Sequence, residues 1–200
     1  KVANDATGDY FLEQLGHHNI DTSVSGREEG TSGQCLIMVS PDAERTMNTF
    51  LGSSSLLAIE DIDVNSLISS EHLLVEGYLV SSEQTLEVSK FALEQAKKND
   101  TKTILTLSDP NIVSFFRQNL LQLFKSKINM VFCNEQEAKN FSETDSLKDT
   151  HKFLREMSDT YIITFGKDGA ICFDGKNILK VKGLEVSSKD FTGAGDMFLG

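Results

Sequence analysis

The stretch TKTILTLSDPNIVSFFRQNLLQLFKSKINMVFCNEQEAKNF, residues 101–141, decides the fold class. An apolar run of strand length, TKTILTL, is ended by Asp109 and Pro110. Five apolar residues then recur at helical spacing: Val113, Phe116, Leu120, Leu123 and Phe124. A second apolar run, NMVFC, follows and leads into the helix that EQEAKNF begins. Two strands joined by one helix predict a right-handed crossover and a parallel strand pair.

The same alternation continues on both sides of this stretch. Upstream, HLLVEGYLV (72–80) is predicted to be a buried strand. The helix after it carries four apolar residues on one face: Val88, Phe91, Ala92 and Ala96. Downstream, SLKDTHKFLREM (146–157) predicts another helix and TYIITF (160–165) a fourth strand. Four strands separated by helices predict an α/β domain with a parallel sheet.

Two hairpins and one capped helix complete the predicted outline. AICFDG and NILKVKG, joined around Gly175 and Lys176, predict an antiparallel hairpin at the edge of the sheet. CLIMVS (35–40) and RTMNTFL (45–51) predict an earlier hairpin, which interrupts the alternation and is therefore expected to be an appendage. Near the start of the chain, Asp5 is predicted to cap a helix.

Composition narrows the classes of partner. The chain has 200 residues, 39% of them hydrophobic, which is enough for a packed core. Thirty acidic and nineteen basic residues give a net charge of -11, which argues against a nucleic-acid partner. An anionic ligand would need local backbone dipoles or a bound cation to attract it.

The apolar runs and the cysteines predict a cytoplasmic protein. The longest apolar runs have only the length of strands, so no membrane span is expected. Cys35, Cys133 and Cys172 have no CxxC spacing and are predicted to be small buried hydrophobic residues in a reducing compartment.

Four loops follow predicted strands, at the edge of the sheet where open parallel sheets bind ligands. They are residues 109–111, 134–137, 164–169 and 190–196. A ligand site built by this fold is therefore expected to draw its residues from these loops.

The last loop lies within KDFTGAGDMFLG, residues 189–200. Gly193, Ala194 and Gly195 present unobstructed backbone N–H groups at the start of a predicted helix, which is a favourable place for an anion. Asp196 stands beside them, where a carboxylate would repel that anion unless it accepts a proton from a hydroxyl. A base next to amides that stabilise a moving phosphoryl group indicates a phosphotransferase.

Other interpretations of this loop remain open. Asp196 is also suited to the first turn of a helix for dipole reasons alone, and the glycines to a tight turn. A Walker A motif would need a Lys-Ser/Thr pair after Gly200, and the spacing does not match a GxGxxG dinucleotide motif.

Two other loops supply candidate site residues. Asn134 and Glu137 are three residues apart at the start of a predicted helix and could together orient a hydrated Mg²⁺, although an N-cap with a capping box explains the same pattern. Thr164, Gly166 and Gly169 would let a nucleotide lie against the backbone, and a plain hairpin turn explains them equally well.

The order N-x-x-E, T-x-G-x-x-G and D-x-T-G-A-G-D, each at the end of a strand, resembles the ribokinase or PfkB family of carbohydrate and nucleoside kinases. KVANDATGDYFLEQL (1–15) and GQCLIMVSPDAERTMNTFLGSS (33–54) extend this resemblance over essentially the whole chain. It implies one ribokinase-like domain over residues 1–200, truncated at both ends, with a doubly wound, mainly parallel sheet. Residues of about 20–51 would form a small β lid. Phe191 departs from the family pattern, which usually has a small or hydroxyl residue there.

The resemblance also implies a role for each motif. Asp196 would be the general base, and Gly193, Ala194 and Gly195 the anion hole for the γ-phosphate, with Thr192 in the same loop. Asn134 and Glu137 would manage Mg²⁺, through water. The ATP side would be lined by Thr164, Gly166 and Gly169. Arg45 and Asn48, on the lid-side strand, would contact the acceptor, although a solvated strand arginine is an equally good explanation of Arg45.

The predicted function is therefore transfer of the γ-phosphate of ATP, with Mg²⁺, to a hydroxyl group. PDAERTMNTFL (41–51) resembles adenosine-kinase-like members, which favours an adenosine-like nucleoside over a sugar such as ribose or fructose. A non-catalytic nucleotide-binding module and a purely structural scaffold are the alternatives. A monomer or a homodimer paired through the lid is expected, without nucleic acid or membrane.

Overall fold

The computed structural model describes residues 1–22, 26–40, 45–126, 128–186 and 193–200, with only the backbone of Arg45. The chain divides into two compact units, Lys1–Asp63 and Val64–Gly200. Over the described ranges, no helix is both long enough and apolar enough to cross a lipid bilayer.

The described part of the first unit contains one α-helix, two short 3₁₀ helices (Gly52–Leu56 and Ile59–Asp61) and two small pairs of strands. One pair of strands is parallel and flanks the α-helix in sequence, and the other is an antiparallel hairpin that follows it. In chain order, the strands and the α-helix are β1 (Val2–Ala3), α1 (Ala6–His17), β2 (Arg27–Glu28), β3 (Gln34–Val39) and β4 (Arg45–Phe50). The pairing of β3 with β4 confirms the hairpin predicted from the sequence. Cys35 is exposed on this hairpin, so the prediction that it is buried was wrong, because every described residue of β3 faces solvent.

Hydrogen bonds to one carboxylate organise the first unit. Asp5 caps α1, as predicted, by accepting from the amide of Gly8 at 2.8 Å. It also accepts from the amide of Ser32 at 2.8 Å and from the Ser32 hydroxyl at 2.7 Å. These donors, Ser32 first, hold the pKa of Asp5 below its ordinary value. Ala3 is the one buried hydrophobic residue among the described residues of this unit.

In the described part of the second unit, six strands form one sheet, with the strand order β10-β9-β8-β7-β6-β5. Its strands are β5 (His72–Glu76), β6 (Lys102–Thr106), β7 (Ile128–Asn134), β8 (Ser158–Thr164), β9 (Ala170–Phe173) and β10 (Ile178–Val181). The pairs from β5 to β8 are parallel, and β9 and β10 are antiparallel at the edge, as the sequence predicts.

The described α-helices of this unit lie before, between and after its strands in sequence. They are α2 (Val64–Ser69), α3 (Glu83–Lys98), α4 (Pro110–Leu123), α5 (Glu135–Ser142), α6 (Leu147–Met157) and α7 (Ala194–Leu199). The hydrophobic core lies where α3, α4, α5 and α6 pack on the sheet, and Leu93, Leu120, Phe141 and Leu154 are fully buried there. This core is the main source of apolar stabilisation in the described chain.

The predicted buried strand HLLVEGYLV is shorter and more exposed than expected. Only residues 72–76 are extended, and Gly77–Ser81 is a 3₁₀ helix. Within β5 only Val75 is buried, because β5 pairs with β6 alone in the described sheet. The chain turns at Gly77, where a Cβ atom would lie 2.7 Å from the carbonyl oxygen of Leu107. The amide of Gly77 donates to the Ser108 hydroxyl at 2.8 Å, which fixes the turn.

Strand register places four strand ends along one edge of the sheet. Glu76 pairs with Thr106 at the ends of β5 and β6, and Asn134 pairs with Thr164 at the ends of β7 and β8. Because these four strands are parallel, the loops that follow them emerge together. We call this line of strand ends the carboxyl edge.

Candidate functional site

Asn134 and Glu137 form a reciprocal cap at the carboxyl edge. The Asn134 side chain accepts from the amide of Glu137 at 2.9 Å. One Glu137 carboxylate oxygen accepts from the Asn134 amide at 2.9 Å, and the other accepts from Asn134 Nδ2 at 2.6 Å. The capping box that the sequence allowed is therefore present, and it holds the Glu137 carboxylate in one orientation at the start of α5.

Burial makes Glu137 an unusual carboxylic acid. Only 5% of the residue is exposed, and this burial raises its pKa from 4.5 to about 7. The negative charge of Asp109 raises the pKa further, whereas the hydrogen bond from the Asn134 amide lowers it. Near neutral pH the protonated and ionised forms of Glu137 are therefore both populated.

Three further residues at this edge were not among the predicted site residues: Glu76, Tyr78 and Asp109, although Asp109 lies in one of the loops expected to supply them. Desolvation of its carboxyl group, and then the charge of Asp196, raise the pKa of Glu76. The pKa of the Tyr78 hydroxyl is raised by desolvation and by four carboxylates, those of Asp109, Glu137, Glu76 and Asp196. The charges of four carboxylates, which come from different loops, thus all act on the hydroxyl of Tyr78. The signal available in the sequence was an acid at the end of an apolar run, immediately before Gly77.

The closing helix α7 begins after Gly193, which has a φ of 76° in the left-handed region. The Gly193 carbonyl accepts from the amide of Met197 at 2.9 Å, which closes the first turn. Among the described residues, the amides of Ala194 and Gly195 have no main-chain acceptor, as expected for the first turn of a helix. No described main-chain group therefore competes with an anion for these N–H groups.

Asp196 lies in that first turn, and its side chain is exposed. Its charge affects Glu76 and Tyr78, so it lies near the carboxyl edge. The ring of Phe198 contacts that of Phe132, from β7, with centroids 5.8 Å apart. This ring contact packs α7 against the sheet.

The structure therefore brings two of the predicted groups to one edge. Asn134 and Glu137 lie at this edge. The segment from Gly193 to Asp196 lies near it, because the charges of both Glu137 and Asp196 raise the pKa of Tyr78. Thr192, predicted in the same phosphate loop, falls outside the described residues.

Thr164 is the last residue of β8 and is paired with Asn134 across the sheet, and Gly166 and Gly169 lie in the turn that follows. Gly166 and Gly169 have φ values of 55° and 101°, and the Phe165 amide donates to the Gly169 carbonyl at 2.8 Å. The tight turn that the sequence allowed is therefore present, and it lies beside the Asn134–Glu137 cap. Gly166 is open to solvent, so a ligand could approach its backbone closely.

Arg45 and Asn48 belong to the first unit, whereas the other predicted site residues belong to the second. In β4, Arg45 pairs with Val39 and Asn48 pairs with Leu36. The Asn48 side chain is exposed, and that of Arg45 falls outside the described part of the chain.

The donors at the carboxyl edge suit a hydrated magnesium ion. In the described ranges, no three His, Cys, Asp or Glu side chains are grouped as ligands of one metal ion. Magnesium in nucleotide sites usually takes one or two carboxylates, keeps several waters and binds the phosphates. Glu137, with the amide oxygen of Asn134 beside it, fits a magnesium site of this hydrated kind, in which the two side chains contact the ion through water.

Known proteins resemble this chain over its full length. The pfkB family of carbohydrate kinases matches residues 1–200. Ribokinase of Staphylococcus aureus is 25% identical over 209 residues, covering 100% of this chain and 65% of the ribokinase. An ATP-dependent 6-phosphofructokinase of Thermoanaerobacterium thermosaccharolyticum is 23% identical over 206 residues, covering 98% of this chain and 62% of that enzyme.

A solved structure agrees closely with this fold. The crystal structure of adenosine kinase from Sinorhizobium meliloti superposes with a TM-score of 0.92 at 27% identity, covering 98% of this chain and 61% of the kinase. The chain thus spans less than two thirds of the length of these relatives. The full-length family match and the shared ribokinase-like α/β fold show that the chain belongs to the pfkB family of carbohydrate kinases.

Proposed function

We propose that this protein transfers the γ-phosphate of ATP to a hydroxyl group of a small molecule. The observation that carries the proposal is the position of Asp196, near the edge that holds the Asn134–Glu137 cap. It lies in the first turn of a helix whose Ala194 and Gly195 amides have no main-chain acceptor among the described residues. A proton acceptor, donors for an anion and a buried carboxylate suited to a cation are the parts that phosphoryl transfer needs.

In this mechanism, Asp196 accepts the proton of the acceptor hydroxyl. The hydroxyl oxygen forms a bond to the γ-phosphorus while the bond to the bridging oxygen breaks, which leaves ADP. The amides of Ala194 and Gly195 donate to the oxygens of the transferred group, whose charge they stabilise best in the transition state. The exposure of Asp196 leaves its carboxylate accessible to an acceptor.

Local charges must overcome the net charge of -11, which repels ATP. When bound, Mg²⁺ would offset the charge of the phosphates. Glu137 and Asn134 would hold the water ligands of that ion, with the carboxylate ionised by the nearby positive charge. Thr164, Gly166 and Gly169 would line the ATP side, and Thr192 would complete the phosphate loop.

The acceptor we favour is an adenosine-like nucleoside. The likeness to the adenosine kinase of S. meliloti supports this choice, and the likeness to the ribokinase of S. aureus supports a sugar as the second candidate. Arg45 and Asn48 remain the predicted contacts to the acceptor, in a β lid formed by residues of about 20–51 of one domain.

Replacement of Asp196 by Asn tests the proposal in the full-length protein. Asp196→Asn keeps the shape of the side chain but removes the base, so turnover should fall by roughly 10²–10⁴-fold while ATP still binds. Asp145→Asn, a matched change at an exposed acid between α5 and α6, should leave turnover unchanged. ADP release with adenosine, inosine, ribose and fructose measures both effects and identifies the acceptor.

Three outcomes would contradict the proposal. Turnover of Asp196→Asn within a few-fold of the parent would remove Asp196 as the base. Thermal stabilisation by ATP without ADP release for any acceptor would favour a binding module instead. If ATP, ADP and nucleosides all leave the melting temperature unchanged, the loops are structural turns only.

A further inference from the structure

A second concave surface lies away from the carboxyl edge, between α6 and β10. We call it the α6–β10 groove. Its volume is about 730 Å³, and it is lined by six residues of α6 and two of β10. Sites for small molecules typically measure about 300–1,000 Å³, so the groove is large enough to hold one. None of the candidate site residues described above lines it.

The charge of this groove is opposite to that of the whole chain. Four of its lining residues are cations and one is an acid, Glu156, whereas the chain carries a net charge of -11. The cations are Lys148, Lys152, Arg155 and Lys180. A positive groove on an acidic protein focuses small anions from solution.

The cations of the groove also differ in their ion pairing from lysines on neighbouring helices. On α3, Lys90 pairs with Glu87 at 2.7 Å, and on α5, Lys139 pairs with Glu135 at 2.8 Å. In the part of the chain that the structure describes, no carboxylate pairs with any of the four groove cations. Lys148 and Lys152 are moreover four residues apart on one helix, a spacing at which like charges repel unless an anion lies between them.

Aromatic packing holds the centre of the groove in place. His151 Nδ1 lies 2.7 Å from the hydroxyl of Tyr161, and the two rings stack with centroids 5.6 Å apart. Tyr161 is fully buried and stacks in turn on Phe173. The guanidinium of Arg155 lies 4.4 Å from the centroid of the Phe173 ring. His151 and Arg155 are therefore preorganised, which lowers the entropic cost of binding a ligand.

The surroundings of His151 indicate a positive potential in the groove. Burial lowers the pKa of His151, and the charges of Arg155 and Lys180 lower it further. The charged or titratable groups that face this ring are Lys148, Lys152, Arg155 and Glu156 on α6, Lys180 on β10 and Tyr161 on β8. A bound anion would favour the protonated form of His151.

We propose that the α6–β10 groove binds a small organic phosphate. Its cations suit a doubly charged phosphate group. Leu147 and Ile178, which also line the groove, suit an apolar or ring-containing body. An extended polyanion would meet the negative charge of the rest of the chain, whereas a small ligand occupies the positive groove alone.

In the experiment, the full-length protein is titrated with phenyl phosphate at low ionic strength. Calorimetry measures the binding, and NMR measures the titration of the histidine rings. Phenyl phosphate should raise the pKa of His151 and shift its ring signals, and the ring signals of His17, His18 and His72 should not move. It should bind at least threefold more tightly than inorganic phosphate, because the ring contacts the apolar wall.

A pair of double variants locates the site. Lys148→Gln/Lys152→Gln should weaken phenyl phosphate binding about five- to tenfold, since each exposed charge pair typically contributes up to about fivefold. Lys97→Gln/Lys98→Gln makes the same change of charge at two exposed lysines in the last turn of α3 and should change binding less than twofold.

Equal weakening in both double variants would overturn the proposal, because it would show a general charge effect. An unchanged pKa of His151 on saturation would overturn it as well, because the ligand would then lie elsewhere, including at the carboxyl edge. Equal affinities for inorganic and phenyl phosphate would rule out an organic ligand. Kinase turnover takes no part in these measurements, so their outcome is independent of the proposed function.

Discussion

Replacement of Glu137 by Gln should change how the stability of the protein depends on pH. In the folded chain the pKa of Glu137 is about 7, because the carboxyl group is buried, whereas its ordinary value is 4.5. The folded state therefore binds this proton more tightly than the unfolded state. Stability from the protonated form is complete below about pH 4.5 and is lost as the pH rises through about 7.

The size of the loss follows from the two pKa values. Each pH unit of difference corresponds to about 1.4 kcal/mol, so raising the pH from 4.5 to 8 should cost about 3 kcal/mol through this one group. Gln cannot ionise, so Glu137→Gln lacks this loss. The Gln amide also replaces one acceptor of the capping box by a donor, which costs about 1 kcal/mol at every pH.

Urea unfolding at pH 4.5, 6, 7 and 8, with EDTA present, measures the effect. The chain has no tryptophan, so circular dichroism is the suitable signal. Other carboxylates, such as Asp61 with its lowered pKa, titrate equally in both proteins and cancel in the difference. The parent should lose about 3 kcal/mol more than Glu137→Gln over this range. Parallel curves for the two proteins would refute the argument that Glu137 is buried without a compensating cation.

Two glycines should be intolerant of a side chain. In Gly169→Ala the new Cβ would overlap the carbonyl oxygen of Val181 at a φ of 101°, so urea unfolding should show a loss of about 3 kcal/mol. Gly166→Ala, with a φ of 55° and open space around it, should lose only about 1 kcal/mol, and equal losses would contradict the close approach. Gly77→Ala places a Cβ 2.7 Å from the oxygen of Leu107 and should cost about 1–3 kcal/mol, whereas an unchanged midpoint would show that this turn has room to spare.

Much of the fold was predictable because the spacing of apolar residues along the sequence indicates the helices and strands locally. The helix from Pro110 has apolar residues at helical spacing over several turns, and the strands on either side of it are short apolar runs. Asp109 and Pro110 mark the boundary between the first strand and the helix. Parallel pairing then follows from the strand–helix–strand order. The predicted cap at Asp5 and the capping box at Asn134 were also local, since both involve residues three apart.

Features that depend on distant contacts were missed. β5 is short because the chain turns at Gly77, which lies against the backbone of Leu107, thirty positions later in the chain. No local sequence pattern predicts that contact. That Glu76, Tyr78 and Asp109 lie close together can be predicted only when the register of β5 and β6 is known. The spacing of the lysines of α6 was visible in the sequence, but the approach of Lys180 depends on the β9–β10 hairpin.

The Asp5 carboxylate has a consequence for how each of the two units unfolds. Lys1–Asp63 has a single buried hydrophobic residue among its described residues, so its cohesion depends on polar links such as those between Asp5, Gly8 and Ser32. Hydrogen bonds of this kind compete directly with water, whereas the apolar core of Val64–Gly200 excludes it. Amide protons of the first unit should therefore exchange with solvent through small, frequent openings, long before the second unit melts.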